Sequence, residues 1–197
     1  MKGYTLVEVL VVIAIMAILG TIGYANYVSF SSNQILTDGV NKIQSLLRAA
    51  QTNATASVIH NNSTCFNWSV RFNTDKKTLS LFCETQSGDV EKSPPLTLPE
   101  GVTINTITAF DSSGGSICTS TNFAAQSAYT ATTSYSTLYG KPTLILAKGD
   151  FAQCPDPDVI PAAIPIARFI VEIKYERGTT SIRKNIRVST GGQINVE

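Results

Sequence analysis

No charged side chain separates Glu8 from Asp38, and the first part of that interval, Val9 to Ile22, reads VLVVIAIMAILGTI. A helix at a protein surface shows one apolar stripe, whereas a run that is apolar on every side must be buried in lipid or in protein. A bilayer span takes ~20 mostly apolar residues, and Gly23 to Val28 carries the run that far, with Tyr24 and Tyr27 near its end. The run is too long and too uniform for an ordinary core helix. Lys2 is the only positive charge before it, which favours a cytoplasmic N-terminus. A cleaved secretory signal would carry a stronger basic region and a small-residue cleavage site, so a signal anchor fits better. Neither reading explains Glu8. An ionisable group in a span costs ~2.5–3.5 kcal/mol at the helix centre, and less near the interface, so by default it marks a function.

Beyond the run, the apolar positions take helical spacing at Leu36, Val40, Ile43, Leu47, Ala50 and Ala54. Asn33, Asn41, Lys42, Gln44 and Arg48 fall on the opposite side. The spacing predicts a helix from Tyr4 to Ser57, ~80 Å long. Residues 4–28 would be its membrane or filament-core half, and residues 29–57 an amphipathic half packed on a globular head. Gly20, Gly23 and Gly39 are weak points, at ~1 kcal/mol each relative to alanine. No proline interrupts the chain before Pro94.

From Cys65 the period changes to two. Phe66, Trp68, Val70 and Phe72 alternate with polar residues, and so do Leu79, Leu81 and Cys83 after a polar turn, which predicts a hairpin. Further strands are expected at Val102–Ile107, Thr143–Ala147, Ala167–Tyr175, Ser181–Val188 and Gln193–Val196. A helix followed by consecutive strands makes the fold class α+β, with a mostly antiparallel sheet in a head of residues 58–197. Within it, the Ser/Thr-rich stretch 111–139 and the proline-rich stretch 152–165 read as surface loops, the first also suited to carry glycans.

The chain has 4 Cys and 1 His. Export past a membrane favours disulfides, and closeness along the chain suggests Cys65–Cys83 and Cys118–Cys154. The first pairing meets an objection. If Phe66, Trp68 and Val70 share a face with Cys83, then Cys65 points to the other face unless a bulge or strand end intervenes. Without a C-x-x-C pair, and with one histidine, no metal site is expected. Catalysis has little to use: His60 reads as a solvated surface residue, Asp156 and Asp158 as a solvated loop, and no phosphate- or dinucleotide-binding fingerprint is present. The chain reads as non-enzymatic, with no cofactor. A formal net charge of +1 argues against a chain that coats nucleic acid over its whole surface. Charge is uneven, however, with an acidic stretch from Glu84 to Asp158 and a basic one from Arg168 to Arg187. Arg183 and Arg187 fall on one strand face and Lys184 on the other. They read as a solvated sheet edge or, more sharply, as a phosphate-binding patch.

Met1-Lys2-Gly3 followed by Tyr4-Thr5-Leu6-Val7-Glu8 resembles the leader of type IV pilins and pseudopilins. The resemblance implies a leader of residues 1–3, cleavage by prepilin peptidase between Gly3 and Tyr4, and N-methylation of Tyr4. It also implies that Glu8 pairs with the terminal amine of a neighbouring subunit. Partners would be other pilin subunits, the peptidase, an inner-membrane assembly platform and the membrane itself. The location would be the bacterial inner membrane, single-pass with the head outside the cytoplasm, and then a pilus or pseudopilus. Leu46 to Ala50, the Trp68 hairpin, Leu98 to Val102 and Ile186 to Gly191 are similar to the GspH/FimT-like branch. DNA-binding members of that branch carry arginines after the terminal glycine, where this chain has Gly192-Gln193-Ile194-Asn195. The expected role is a minor pilin or pseudopilin. A DNA-capturing or adhesive tip pilin and a major pilin are the alternatives, and DNA as a partner is disfavoured.

Overall fold

The structure is a computed structural model that describes residues 5–60, 63–73, 75–86, 88–92, 94–120, 129–136, 142–146, 167–178 and 180–197. Its first element is one helix, α1 (Leu6–Thr55), of 50 residues. At 1.5 Å per residue it is ~75 Å long. The helix runs unbroken through Gly20, Gly23 and Gly39. Its C-terminal end closes as a Schellman turn, in which Ser57 N–H bonds to the Ala54 carbonyl at 3.2 Å and Val58 N–H to that of Asn53 at 3.0 Å.

The strands that follow form antiparallel pairs. A short hairpin joins β1 (Ile59–His60) to β2 (Ser63–Thr64). The next strands are β3 (Asn67–Asn73), β4 (Thr78–Thr85), β5 (Gly88–Glu91), β6 (Leu96–Thr97), β7 (Val102–Phe110) and β8 (Ser116–Ser120). They are followed by β9 (Tyr129–Ser136), β10 (Pro142–Leu146), β11 (Arg168–Arg177), β12 (Thr180–Ser189) and β13 (Ile194–Val196). One sheet has the order β10-β9-β3-β4-β5, with β6 also on β4, and a second has the order β13-β12-β11-β7-β8. The fold class is α+β, with the head built on two sheets and α1 packed against strands of both.

The helix buries the stripe that its spacing predicts. Leu36, Val40, Ile43, Leu47, Ala50 and Ala54 form one core with Trp68, Val70, Phe72, Leu79, Leu81 and Cys83 from the first sheet. The second sheet adds Val102, Ile104, Ile107, Ala109, Phe169, Val171, Ile173, Tyr175, Ile186, Val188 and Ile194. A bulge brings both Ile104 and Ile107 inward. Ile104 opposes Ile173 and Thr106 opposes Glu172, so Asn105 is the extra residue, and its side-chain amide donates to the Glu172 carboxylate. Gly39 is buried where a Cβ would lie 2.9 Å from Val102 Cγ1. One of the three glycines that read in sequence as weak points thus lets the helix lie close against the second sheet.

Three expectations need correction. First, the stretch 111–139 is not simply loop, because it contains β8 and β9, and β9 lies inside the first sheet between β10 and β3. Its letters, YTATTSYS, are mostly polar, but five of the eight are β-branched or aromatic, which suits a strand. Thr133 and Tyr135 face inward beside Val70 and Trp68, their register partners, and both are buried. Second, Phe66 does not join the face of Trp68. The chain bends there before β3 begins, and Phe66 is 48% exposed. Third, the same bend removes the objection to the first cysteine pairing. Cys65 precedes the strand, so strand alternation does not fix its direction, and it is bonded to Cys83.

The proline-rich stretch 152–165 lies outside the described residues. So do Cys154 and the Cys118 side chain, and with them the proposed Cys118–Cys154 bond.

Candidate functional site

The features of interest lie at the start of α1. Thr5 is the N-cap, and Glu8, three residues on, closes a capping box with it. The Glu8 N–H donates to Thr5 Oγ1, while the Thr5 N–H and hydroxyl both donate to Glu8 Oε2, each at 3.3 Å. The carboxylate sits at the positive end of the helix dipole, where a negative charge is favoured. Gly3 and Tyr4, the expected processing site, lie outside the described residues.

The surface above this cap is apolar and uncovered. Leu6, Val7, Leu10, Ile13, Met16, Ile18 and Leu19 are all exposed, as are Tyr27 and Phe30 further along. Contiguous apolar surface of this extent marks a site of protein or membrane contact. Among the described residues, no helix is long and apolar enough to cross a membrane. The side chains described at this end run only from Leu6 to Gly20, about four turns of helix.

The cations of β12 divide by face. Lys184 lies opposite Ile173 and turns toward the helix, where its ammonium donates to Thr37 Oγ1 at 2.9 Å. Arg183 and Arg187 turn outward, and each meets a carboxylate. Arg183 lies 3.4 Å from Glu172, which also receives Asn105, and Arg187 lies 2.6 Å from Glu197. The three residues expected to form a phosphate patch therefore do not converge. Neither Glu172 nor Glu197 is evident as a partner in the sequence, because both depend on strand register.

The outer face of the first sheet carries a second polar group that sequence reasoning missed. Arg71 stacks on Phe82 at 4.0 Å and pairs with Asp89. Glu84 accepts from Asn67 at 3.0 Å and from Ser134 at 2.9 Å, linking β3, β4 and β9. The Arg71–Asp89 pair cancels its own charges, while Glu84 keeps its charge and is held by two neutral donors. Elsewhere, shifted groups hold turns. Burial works to raise the Asp75 carboxyl, but backbone N–H bonds from Lys77 and Thr78 and the Thr78 hydroxyl bring it below the usual range. Asp111 is lowered by the Ser113 hydroxyl and the Gly115 N–H. Burial raises the Tyr135 phenol. Among the described residues, no group of three or more His, Cys, Asp or Glu could hold a metal ion. The His60 side chain, Asp156 and Asp158 lie outside them.

Residues 1–24 match the family model of the prokaryotic N-terminal methylation motif. This prepilin-type signal for cleavage and methylation supports a type IV pilin-like protein. A protein of this kind is processed by prepilin peptidase and assembles with other pilin subunits. No curated protein and no solved structure matches the chain.

Proposed function

We propose that the chain is a non-enzymatic assembly subunit, a minor pilin or pseudopilin of a type IV pilus or type II secretion pseudopilus. It enters the inner membrane through the apolar half of α1, with the head outside the cytoplasm. Prepilin peptidase then releases residues 1–3, and an assembly platform adds the subunit to a filament. The observation that carries this reading is the capped Glu8 at the foot of an apolar surface that the single chain leaves uncovered. Cleavage after Gly3 creates an amine four residues before Glu8, one helical turn away. In a packed array of such helices, a carboxylate in apolar surroundings needs a partner, and the amine of a neighbouring copy supplies one. The short matches on the helix and in the head favour the GspH/FimT-like branch.

The test is Glu8→Val, combined with N-terminal mass spectrometry. The variant should insert and be cut to begin at methylated Tyr4, yet fail to enter filaments. Because the change makes insertion cheaper, a loss of assembly cannot be blamed on a poorer span. Normal incorporation of Glu8→Val refutes the pairing role, and an intact Met1 on incorporated protein refutes processing. A DNA-capturing tip is the less favoured reading, since Arg183 and Arg187 already hold carboxylates. Salt-dependent DNA binding by the full chain would revive it.

A further inference from the structure

Two hydroxyls of β9 lie in the core of the head. Thr133 and Tyr135 project inward opposite Val70 and Trp68 of β3, and both residues are 0% exposed. Thr133 Oγ1 and Tyr135 Oη are themselves buried, and neither has a hydrogen-bond partner among the described residues. Burial alone raises the Tyr135 phenol, with no hydrogen bond acting on it. A hydroxyl carried from water into an apolar core gives up its hydrogen bonds. Folded proteins restore nearly all such bonds, to protein groups or to internal water.

The two groups are placed to share a ligand. Residues two apart on a strand project from the same face, with their bases ~7 Å apart, a span that a short water bridge covers. Each hydroxyl both donates and accepts, and so does water, whereas neither group carries the charge that would hold an ion. The helix α1 packs on β3 and β9, and its buried stripe ends in Ala50 and Ala54, smaller than Leu36, Ile43 and Leu47 before them. Small side chains on the covering helix leave the room that a buried water needs.

We propose that Thr133 and Tyr135 form an internal hydration site, in which bound water joins Thr133 Oγ1 to Tyr135 Oη. The water is part of the folded head. It satisfies the polar side of β9 where that strand, set between β10 and β3, turns its side chains to the core. The site is independent of membrane insertion and filament assembly, since both hydroxyls lie inside a single head.

The experiment compares Tyr135→Phe, Thr133→Val and the double variant, each in the full chain in detergent. Both changes keep the shape of the side chain and remove only its hydroxyl, so the variants should fold. The sign of the stability change separates a wet site from a dry one. Removing a hydroxyl that water satisfies leaves that water short of a partner, and the unfolding equilibrium constant should rise about fivefold in each single variant. Removing a hydroxyl that has no partner relieves a cost, and the constant should fall. Because the water is shared, the double variant should lose less than the two single variants together. Oxygen-17 relaxation dispersion in labelled water, which counts long-lived internal waters, should find fewer in the double variant than in the unaltered chain. A single variant that unfolds less readily than the unaltered chain overturns the proposal. Fully additive losses, or an unchanged count of internal waters, overturn it as well.

Discussion

The two halves of α1 are one unbroken helix with opposite fates. In the C-terminal half only a stripe is apolar, and the head covers it completely, with Leu36, Ile43 and Leu47 at 0% exposure. In the N-terminal half the apolar residues surround the axis, and among the described side chains from Leu6 to Leu19 none is covered. Burial of apolar surface drives folding in proportion to the area removed from water. The C-terminal half therefore stabilises the single chain, while the N-terminal half holds its hydrophobic driving force for a partner outside it. Fold and assembly are assigned to separate segments of one helix.

A matched pair of truncations tests this separation with the largest effect. Leu47→Ala should lower the stability of the head by ~2–5 kcal/mol, through lost burial and the cavity left behind. Leu10→Ala should change it by less than ~0.5 kcal/mol, as surface changes do. Denaturant unfolding of the full chain in detergent, followed through the buried Trp68, measures both. Similar losses from the two changes would break the comparison.

Glycine gives a subtler pair, because the same substitution should change sign between the halves. At Gly20 an added Cβ meets nothing within 4 Å, so Gly20→Ala should strengthen the helix by ~1 kcal/mol. At Gly39 it would lie 2.9 Å from Val102, a buried β-branched side chain with little room to move. Overpacking costs ~1–3 kcal/mol, which should outweigh the propensity gain and leave Gly39→Ala destabilising. Helicity of the N-terminal half by circular dichroism and the unfolding midpoint of the head report the two outcomes separately.

What the sequence made legible follows the same division. The stripe from Leu36 to Ala54 could be read because helical spacing states which face is buried. The alternations in β3, β4, β11 and β12 could be read because period two states it for strands. The even spacing of Arg183 and Arg187 also placed Lys184 correctly on the other face. The strand β9 was hidden because Thr133 and Tyr135 are polar in composition yet buried, and only their β-propensity and alternation signalled a strand. Two sheets in place of one, and the partners Glu172 and Glu197, were out of reach because long-range register leaves no local trace. The Cys65–Cys83 bond was suggested by proximity, but its geometry depended on the bend at Phe66, which alternation alone did not reveal.

The smallest effect lies where α1 ends and the head begins. Ser57 has φ of 48°, in the left-handed region, at the position where a Schellman turn usually places glycine. Its Cβ makes that conformation costly, by ~1–2 kcal/mol for an ordinary residue. Glycine would remove the cost but add freedom to the unfolded chain, worth ~0.4–1 kcal/mol in the other direction. Ser57 is exposed, so no buried contact is lost. Ser57→Gly should therefore raise head stability by about 0.5–1 kcal/mol, the difference of these two terms. Ser57→Val should lower it, because a β-branched residue tolerates positive φ least. Both shifts should appear in the same denaturant transition that Leu47→Ala moves, since this turn closes the covered half of the helix. If Ser57→Gly leaves that transition unmoved while Leu47→Ala shifts it, the turn is not part of the cooperative head. The cooperative unit would then end within the covered half of α1, short of the turn that follows Ala54.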